Sequence, residues 1–303
     1  MSSSVVTDVD APAAGSFKIR MVMAFFAIYF LWGTTFLAIR IAVEELPPLF
    51  AAGARFFIAG IVLLGFMLAK GEARPSGRQW RNLLVMSLLM FVAEYGPLFW
   101  AEKYVPSGVV SVLAATIPII TLVLEMLVLR QQKWSVALAG ATVLGFGGVG
   151  VLLLPGGTQH FPVLPCFAIL CGCTTWSLGT VLSRSMDLPK ARPVTAGATM
   201  MLGGGLLLLI SGGIGEMHPW PHVSLRAAMA VLYLIVFGSL LAFTAFVWLL
   251  AHMPATRVAS HAYVNPIVAV ALGYFFAGEP VTARTLAGTV LVLVSVFMIL
   301  RKR

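Results

Sequence analysis

Apolar positions in this chain come in unbroken runs, without the two- or 3.6-residue alternation of a half-buried element. Ten such runs follow one another, near 20–42, 47–69, 80–101, 106–129, 134–154, 162–183, 193–213, 226–249, 255–277 and 283–300. A helix rises 1.5 Å per residue, so about 20 apolar residues cross a bilayer's hydrocarbon core. The connections are short and carry prolines and glycines, as in "ELPP", "LLPGGTQHFP", "DLPKARP" and "HMPA". The pattern predicts an all-α polytopic membrane protein of ten transmembrane helices. Residues 1–16, "MSSSVVTDVDAPAAGS", read as a disordered cytoplasmic tail. They carry no basic n-region, and the first apolar run is too long for a signal peptide, so span 1 is expected to be retained.

Composition agrees: the chain is 60% hydrophobic and 10% charged, against about 25% charged in ordinary soluble domains. The formal net charge of +9 could point to nucleic acid, but its distribution argues otherwise. With the N-terminus inside, 15 Lys and Arg fall on the inner side, among them Lys18, Arg20, Lys70, Arg184, Arg192 and Arg257. Only Lys103, Arg226 and Arg284 fall outside. This positive-inside bias predicts a multi-pass inner-membrane protein with both termini cytoplasmic. Cys166, Cys171 and Cys173 share span 6 without histidine or acidic neighbours, so they read as packing residues and no metal site or disulfide framework is expected.

The chain also matches itself. Shifted by 148 residues, "PSGVVSVLAATIPIITLVLEMLVL" from Pro106 lies over "PATRVASHAYVNPIVAVALGYFFA" from Pro254, and 10 of the 47 positions from 106 to 152 are identical. Trp32 and Arg40 of span 1 echo Trp176 and Arg184 of span 6 at an offset of 144. The chain reads as two five-helix units, 17–155 and 156–303. Five is odd, so the second unit crosses the membrane in the opposite sense; inverted repeats of this kind build many secondary transporters, with the substrate at the midplane between them. Pro118 and Pro266 occupy matching places, roughly 17 Å into spans 4 and 9, and mark both as helix-break or hinge positions.

"LWGTTFLAIR", "GARFFIAG", "WAEKYVPSGVVSVLAATIPI" and "AYVNPIVAVALG", in that order and with the repeat, resemble the EamA-type drug/metabolite transporter family, in particular its YedA- and YddG-like branch. The resemblance covers the chain apart from its tail. It implies a ten-helix exporter whose central cavity is built mainly from the first four helices of each half, moving amino acids or related metabolites out of the cytoplasm.

Charges inside spans are functional suspects by default. Arg55 and Glu94 lie at equal depth in spans 2 and 3 and are expected to pair, orienting an amphoteric substrate or carrying a coupled proton; a purely structural pair fits the positions equally. Glu125 is expected in an interfacial salt bridge near Arg130 and Lys133, Arg40 snorkels outward, and Glu102 gates or caps at the outer rim. The substrate-binding candidates are Trp32, Glu94, Tyr95, Trp100, Thr116, Trp176, His261, Tyr263 and Asn265. Their aromatic rings would stack on an apolar side chain while the polar groups hold its other end; helix packing and an interfacial aromatic belt, the latter for Trp100, are the competing roles. The glycines of "GATVLGFGGVG" and "LGGGL" read as close helix–helix contacts, with a dimer face as the alternative.

No phosphate-binding loop, H-E-x-x-H or G-x-S-x-G motif is present, which argues against an ATP-driven pump and the common intramembrane hydrolases. The expectation is alternating-access export of amino acids, aromatic or large apolar ones first. Proton-coupled extrusion of lipophilic cations is the alternative, and an intramembrane enzyme or assembly factor the remote one. Expected partners are a small-molecule substrate and the lipid bilayer, with proton coupling open; no cofactor, metal or nucleic acid is expected, and the chain is expected to be a monomer or weak homodimer.

Overall fold

A computed structural model describes residues 14–126, 136–153, 162–219 and 222–301. Among the described residues ten helices form the bundle: α1 Phe17–Glu45, α2 Pro48–Ala69, α3 Gly77–Ala101, α4 Ser107–Leu124, α5 Val136–Leu153, α6 Val163–Ser183, α7 Arg192–Gly213, α8 Leu225–His252, α9 His261–Ala277 and α10 Ala283–Arg301. Seven of them are long and apolar enough to cross a membrane as continuous runs, and shorter apolar helices in α5, α9 and α10 complete the ten. The expected polar tail lies outside the described residues except for Ala14–Ser16, which extend the start of α1.

Local chemistry fixes the ends. Pro48 opens α2, where its missing N–H costs nothing. Ser76 and Gln79 form a capping box at the start of α3. Gly278, at φ +62°, closes α9 in a left-handed conformation.

Equivalent helices of the two halves meet across the bundle, and glycine permits the contact. Gly53 and Gly60 of α2 face Gly197 and Gly204 of α7. A methyl added at Gly60 would lie 2.6 Å from the Cα of Met201, and one at Gly197 2.7 Å from the backbone N of Leu64. On the other flank Gly148 of α5 meets Gly288 of α10, where an added methyl would sit 3.0 Å from the partner's carbonyl oxygen. The expected role of the glycine stretches in helix packing therefore holds for Gly148, Gly203 and Gly204, whereas Gly140, Gly147 and Gly150 face open space.

The helices around the bundle axis are irregular at mid-depth. Wide π-helical turns interrupt α1 at Ala27–Leu31, α3 at Leu88–Val92 and α8 at Leu234–Phe243. Such turns cluster at functional sites because they free backbone groups and re-aim side chains. The α4 helix breaks into Ser107–Ala114 and Ile117–Leu124, with Pro118 in the first turn of the second half, as expected for a helix-break position. Pro266 corrects the parallel expectation. It lies inside α9, and the interruption falls upstream, at Ala259–Ser260, between α9 and the short helical turn Ala255–Val258. Pro266 faces a groove beside the exposed Ile267 and Tyr274, away from the bundle axis.

The bundle has a termini end, where α1 starts and α10 finishes, and a far end. At the far end, acidic residues of one repeat cap helices of the other. Glu45 accepts from the backbone N and Oγ of Ser224, both at 2.7 Å. Glu216 accepts from the backbone N of Leu49 and Phe50 at 3.1 and 3.0 Å, and Glu279 from those of Ser107 and Gly108 at 2.8 and 3.1 Å. Each carboxylate satisfies first-turn donors and sits at the positive end of a helix dipole. These three straps seal the far end across the repeat boundary.

Candidate functional site

The axis of the bundle holds a small cavity of about 50 Å³. Six of the nine expected substrate-binding residues line it: Trp32, Glu94, Tyr95, Trp176, His261 and Asn265. The first half of the chain contributes α1, α3 and the broken α4, and the second contributes α6 and α9, so the cavity lies between the repeats.

Trp32 follows the π-turn of α1 and donates from Nε1 to the carbonyl of Gly238, inside the π-turn of α8, at 3.1 Å. Its ring meets that of its repeat counterpart Trp176 edge to face at 5.9 Å. Phe246 packs on both, at 5.1 and 5.3 Å, and Tyr95 meets Trp176 at 5.9 Å. These T-shaped and tilted pairs hold the rings without filling the space between them.

Two polar groups at this aromatic wall lack partners. Glu94 sits where α3 resumes after its π-turn, and its Oε2 is buried without a hydrogen bond. Gly172 of α6 leaves room for it, since a methyl there would lie 2.5 Å from that oxygen. In α9, Asn265 satisfies its surroundings in one amide orientation: its nitrogen donates to the carbonyls of Tyr29 and Ile28, at 2.7 and 3.1 Å, and its oxygen accepts from His261 Nδ1 at 3.1 Å. That network assigns the proton to Nδ1. In a neutral ring His261 Nε2 is then an acceptor, and it too is buried and unpartnered. An ionised Glu94 accepts only, so both unsatisfied groups can accept from a donor in this aromatic-walled cavity.

The other expectations fare differently. Arg55 and Glu94 form no ion pair. Arg55 Nε donates instead to Ser239 of α8 at 2.9 Å, and its guanidinium lies 4.5 Å from the Phe56 ring centre and 5.5 Å from that of Tyr95. Equal depth on two helices does not make their side chains face each other, and Arg55 turns toward α8. Thr116 is buried at the α4 break, but its hydroxyl donates to the carbonyl of Leu113 at 2.7 Å. Trp100 packs on Tyr104 at 5.5 Å and does not line the cavity. The side chain of Tyr263 lies outside the described residues. Glu125 pairs with Arg184, which follows α6, at 3.3 Å; Arg130 and Lys133, its expected neighbours, lie outside the described residues.

Residues without a sequence signal complete the cavity. Thr35, Phe36 and Ile39 share the face of α1 that carries Trp32, three, four and seven positions on, so helical periodicity from Trp32 could have found them. Nothing local marks Phe246, which packs behind Trp32 and Trp176, or Ser239, which holds Arg55; neither lines the cavity itself.

Glu102 lies in the turn after α3, outside the membrane-spanning segments, fully buried at the far end with neither carboxyl oxygen bonded. The Arg40 guanidinium donates to its backbone carbonyl. Burial, helped by nearby Glu279 and opposed by Arg40, pushes its carboxyl well above the usual carboxylate range. A raised folded-state pKa means the folded protein binds the extra proton, so stability falls as pH rises from the ordinary carboxylate range toward the raised value. The loss is at most about 1.4 kcal/mol per pH unit in that window. Glu102→Gln is expected to flatten this slope in detergent melts between pH 5 and 8; an unchanged slope would mean that Glu102 stays ionised against Arg40.

A bundle of two inverted five-helix repeats, irregular where they meet and enclosing a partly polar cavity, defines a membrane carrier. The chain belongs to the EamA-like transporter family, whose profile matches residues 19–154 and 163–301. It is 37% identical over 260 residues to the uncharacterized inner membrane transporter YedA of Escherichia coli K12, covering 84% of this chain and 82% of that protein. It is 27% identical to the uncharacterized transporter YvbV of Bacillus subtilis, covering 93% and 91%. One crystal structure shares the fold with a TM-score of 0.66 at 20% identity, over 93% of this chain and 96% of that one.

Proposed function

We propose that the protein is an inner-membrane secondary transporter that exports amino acids with apolar, preferably aromatic, side chains by alternating access, and that it carries out no catalysis. The observation that supports this reading best is the pair of buried, unpartnered acceptors, Glu94 Oε2 and His261 Nε2, in an aromatic-walled cavity between inverted repeats. An ammonium group satisfies both, and its charge favours the ionised form of Glu94. The rings of Trp32 and Trp176 take the side chain. The substrate carboxylate fits the start of the second half of α4, where Ile117 lines the cavity and the helix dipole presents its positive end. The excess of Lys and Arg on the connections at the termini end supports a cytoplasmic position for that end.

A second reading has its own observation: among the described residues no Lys or Arg lines the central cavity. Acceptors plus aromatic faces suit a lipophilic cation equally, through cation–π contact and Glu94.

Counterflow in proteoliposomes holding the purified chain separates the two. Exchange of labelled phenylalanine or tryptophan, with none of tetraphenylphosphonium, is the expected result. Exchange of tetraphenylphosphonium alone supports the second reading, and silence with both removes carriage of either class.

A further inference from the structure

A second and larger cavity, of about 320 Å³, opens at the termini end between α3, α6, α7 and α8. Its volume falls in the range that holds a small ligand, whereas the central cavity, at about 50 Å³, does not in this conformation. Phe246 lies between them: it lines the larger cavity, and its ring packs on Trp32 and Trp176 of the smaller one. A substrate arriving from the termini end meets this vestibule first.

The vestibule's chemistry is asymmetric. Arg192, half-buried in the first turn of α7, has no ion-pair partner among the described residues. Thr195 stands one turn along the same face, 1% exposed, and its hydroxyl is unpartnered. Of the other charges, Arg184 is paired, whereas Asp187 is exposed at the rim and its carboxylate is hydrogen-bonded but not neutralised. Arg184 is held at 3.3 Å by Glu125, at the end of α4, and Asp187 Oδ1 accepts from Gln79 of α3 at 3.2 Å. The positive end of the 22-residue α7 adds to the same spot. Opposite, Met86, Met90 and Phe246 make an apolar floor that unbranched methionines let adapt to different shapes. A guanidinium, a free hydroxyl and a helix N-terminus above an apolar floor match a small carboxylate with an apolar body.

We infer that this vestibule is a loading site, in which Arg192 and Thr195 take the substrate's carboxylate and the methionine floor takes its side chain before Phe246 moves aside to admit it to the central cavity. The inference rests on the amino-acid reading above and assigns Arg192 and Thr195 as specificity residues for a carboxylate-bearing substrate. An anionic lipid headgroup carries the same charge, so the test separates the two.

The test is the thermal melt of the full chain, in detergent without anionic lipid, titrated with phenylacetate or with phenethylamine. Phenylacetate carries the carboxylate and no ammonium, so its binding does not depend on Glu94. Phenylacetate is expected to raise the melting temperature of the wild type. Its half-saturating concentration is expected to rise at least about 10-fold in Arg192→Gln and less in Thr195→Val, to recover in part in Arg192→Lys, and to stay unchanged in Glu94→Gln. Phenethylamine is expected to show the reverse pattern. Absence of a phenylacetate shift, or an equal shift in Arg192→Gln, overturns the loading site; phenethylamine acting through Glu94 in that case leaves the central-cavity reading standing. If phosphatidylglycerol in mixed micelles shifts the melt through Arg192 and phenylacetate does not, the vestibule is a lipid site and the loading role is overturned.

Discussion

Glu94→Gln abolishes transport of ammonium-bearing substrates while the protein still folds. The replacement keeps the shape of the side chain and exchanges a carboxyl oxygen for an amide, which presents either a neutral acceptor or a donor. Glu94 Oε2 is buried, faces the cavity and serves no neighbour in the resting structure, so no contact inside the protein is lost. What is lost is the partner of a desolvated ammonium, and removing one side of such a pair costs about 2–5 kcal/mol. The expected fall in counterflow is therefore at least about 30-fold at low substrate concentration. The melting temperature is expected to stay or rise, because burying a neutral amide is less costly than burying a carboxylate. Counterflow within about 3-fold of wild type would remove Glu94 from substrate recognition. An equal loss of folded protein would make it structural.

That residue was legible because a carboxylate in an apolar run has few explanations. Much of the architecture was legible for a similar reason: in lipid, backbone hydrogen bonding must be satisfied within a helix, so an apolar run of the right length has one outcome. The self-match at 148 residues gave the repeat, and the echo of Trp32 in Trp176 marked two rings that meet in the cavity. What failed was azimuth. Arg55 and Glu94 share a depth, but depth says nothing about which way a helix is turned, and Arg55 bonds Ser239 in the other repeat. Thr116 had the right position and the wrong direction, its hydroxyl spent on the Leu113 carbonyl. The proline rule located one break and missed the other. In α4 the chain broke just before Pro118, whereas α9 absorbs Pro266 and parts at Ala259–Ser260. A single proline removes one backbone bond, and surrounding helices can hold the rest of the segment helical. The vestibule left no trace in the sequence because its walls come from four helices far apart in the chain.

Gly204→Ala is expected to be the most damaging small substitution, greater in effect than many changes in the cavity itself. Gly204 lies where α7 crosses α2, and the added methyl would sit 2.8 Å from the carbonyl oxygen of Gly53 and 2.8 Å from the carbonyl carbon of Phe56. Those are backbone atoms of a regular helix and cannot rotate away as a flexible side chain would. The two helices must separate, and the gap then propagates to Gly60 and Gly197 along the same seam, where dispersion contacts are lost in turn. In a bilayer, helices gain little from leaving lipid for one another, so close packing of small residues carries the association. A cost above about 3 kcal/mol follows, at the upper end for overpacking. Gly147→Ala supplies the control: it changes the same atoms on a helix face that meets nothing within 4 Å, and in the middle of a helix alanine is favoured over glycine by about 1 kcal/mol. Size-exclusion profiles and melts in mild detergent should show Gly204→Ala aggregated or strongly destabilised and Gly147→Ala at or above wild type. Equal behaviour of the two variants would mean that α2 and α7 can part without loss, and that the pairing of equivalent helices does not hold the two repeats together.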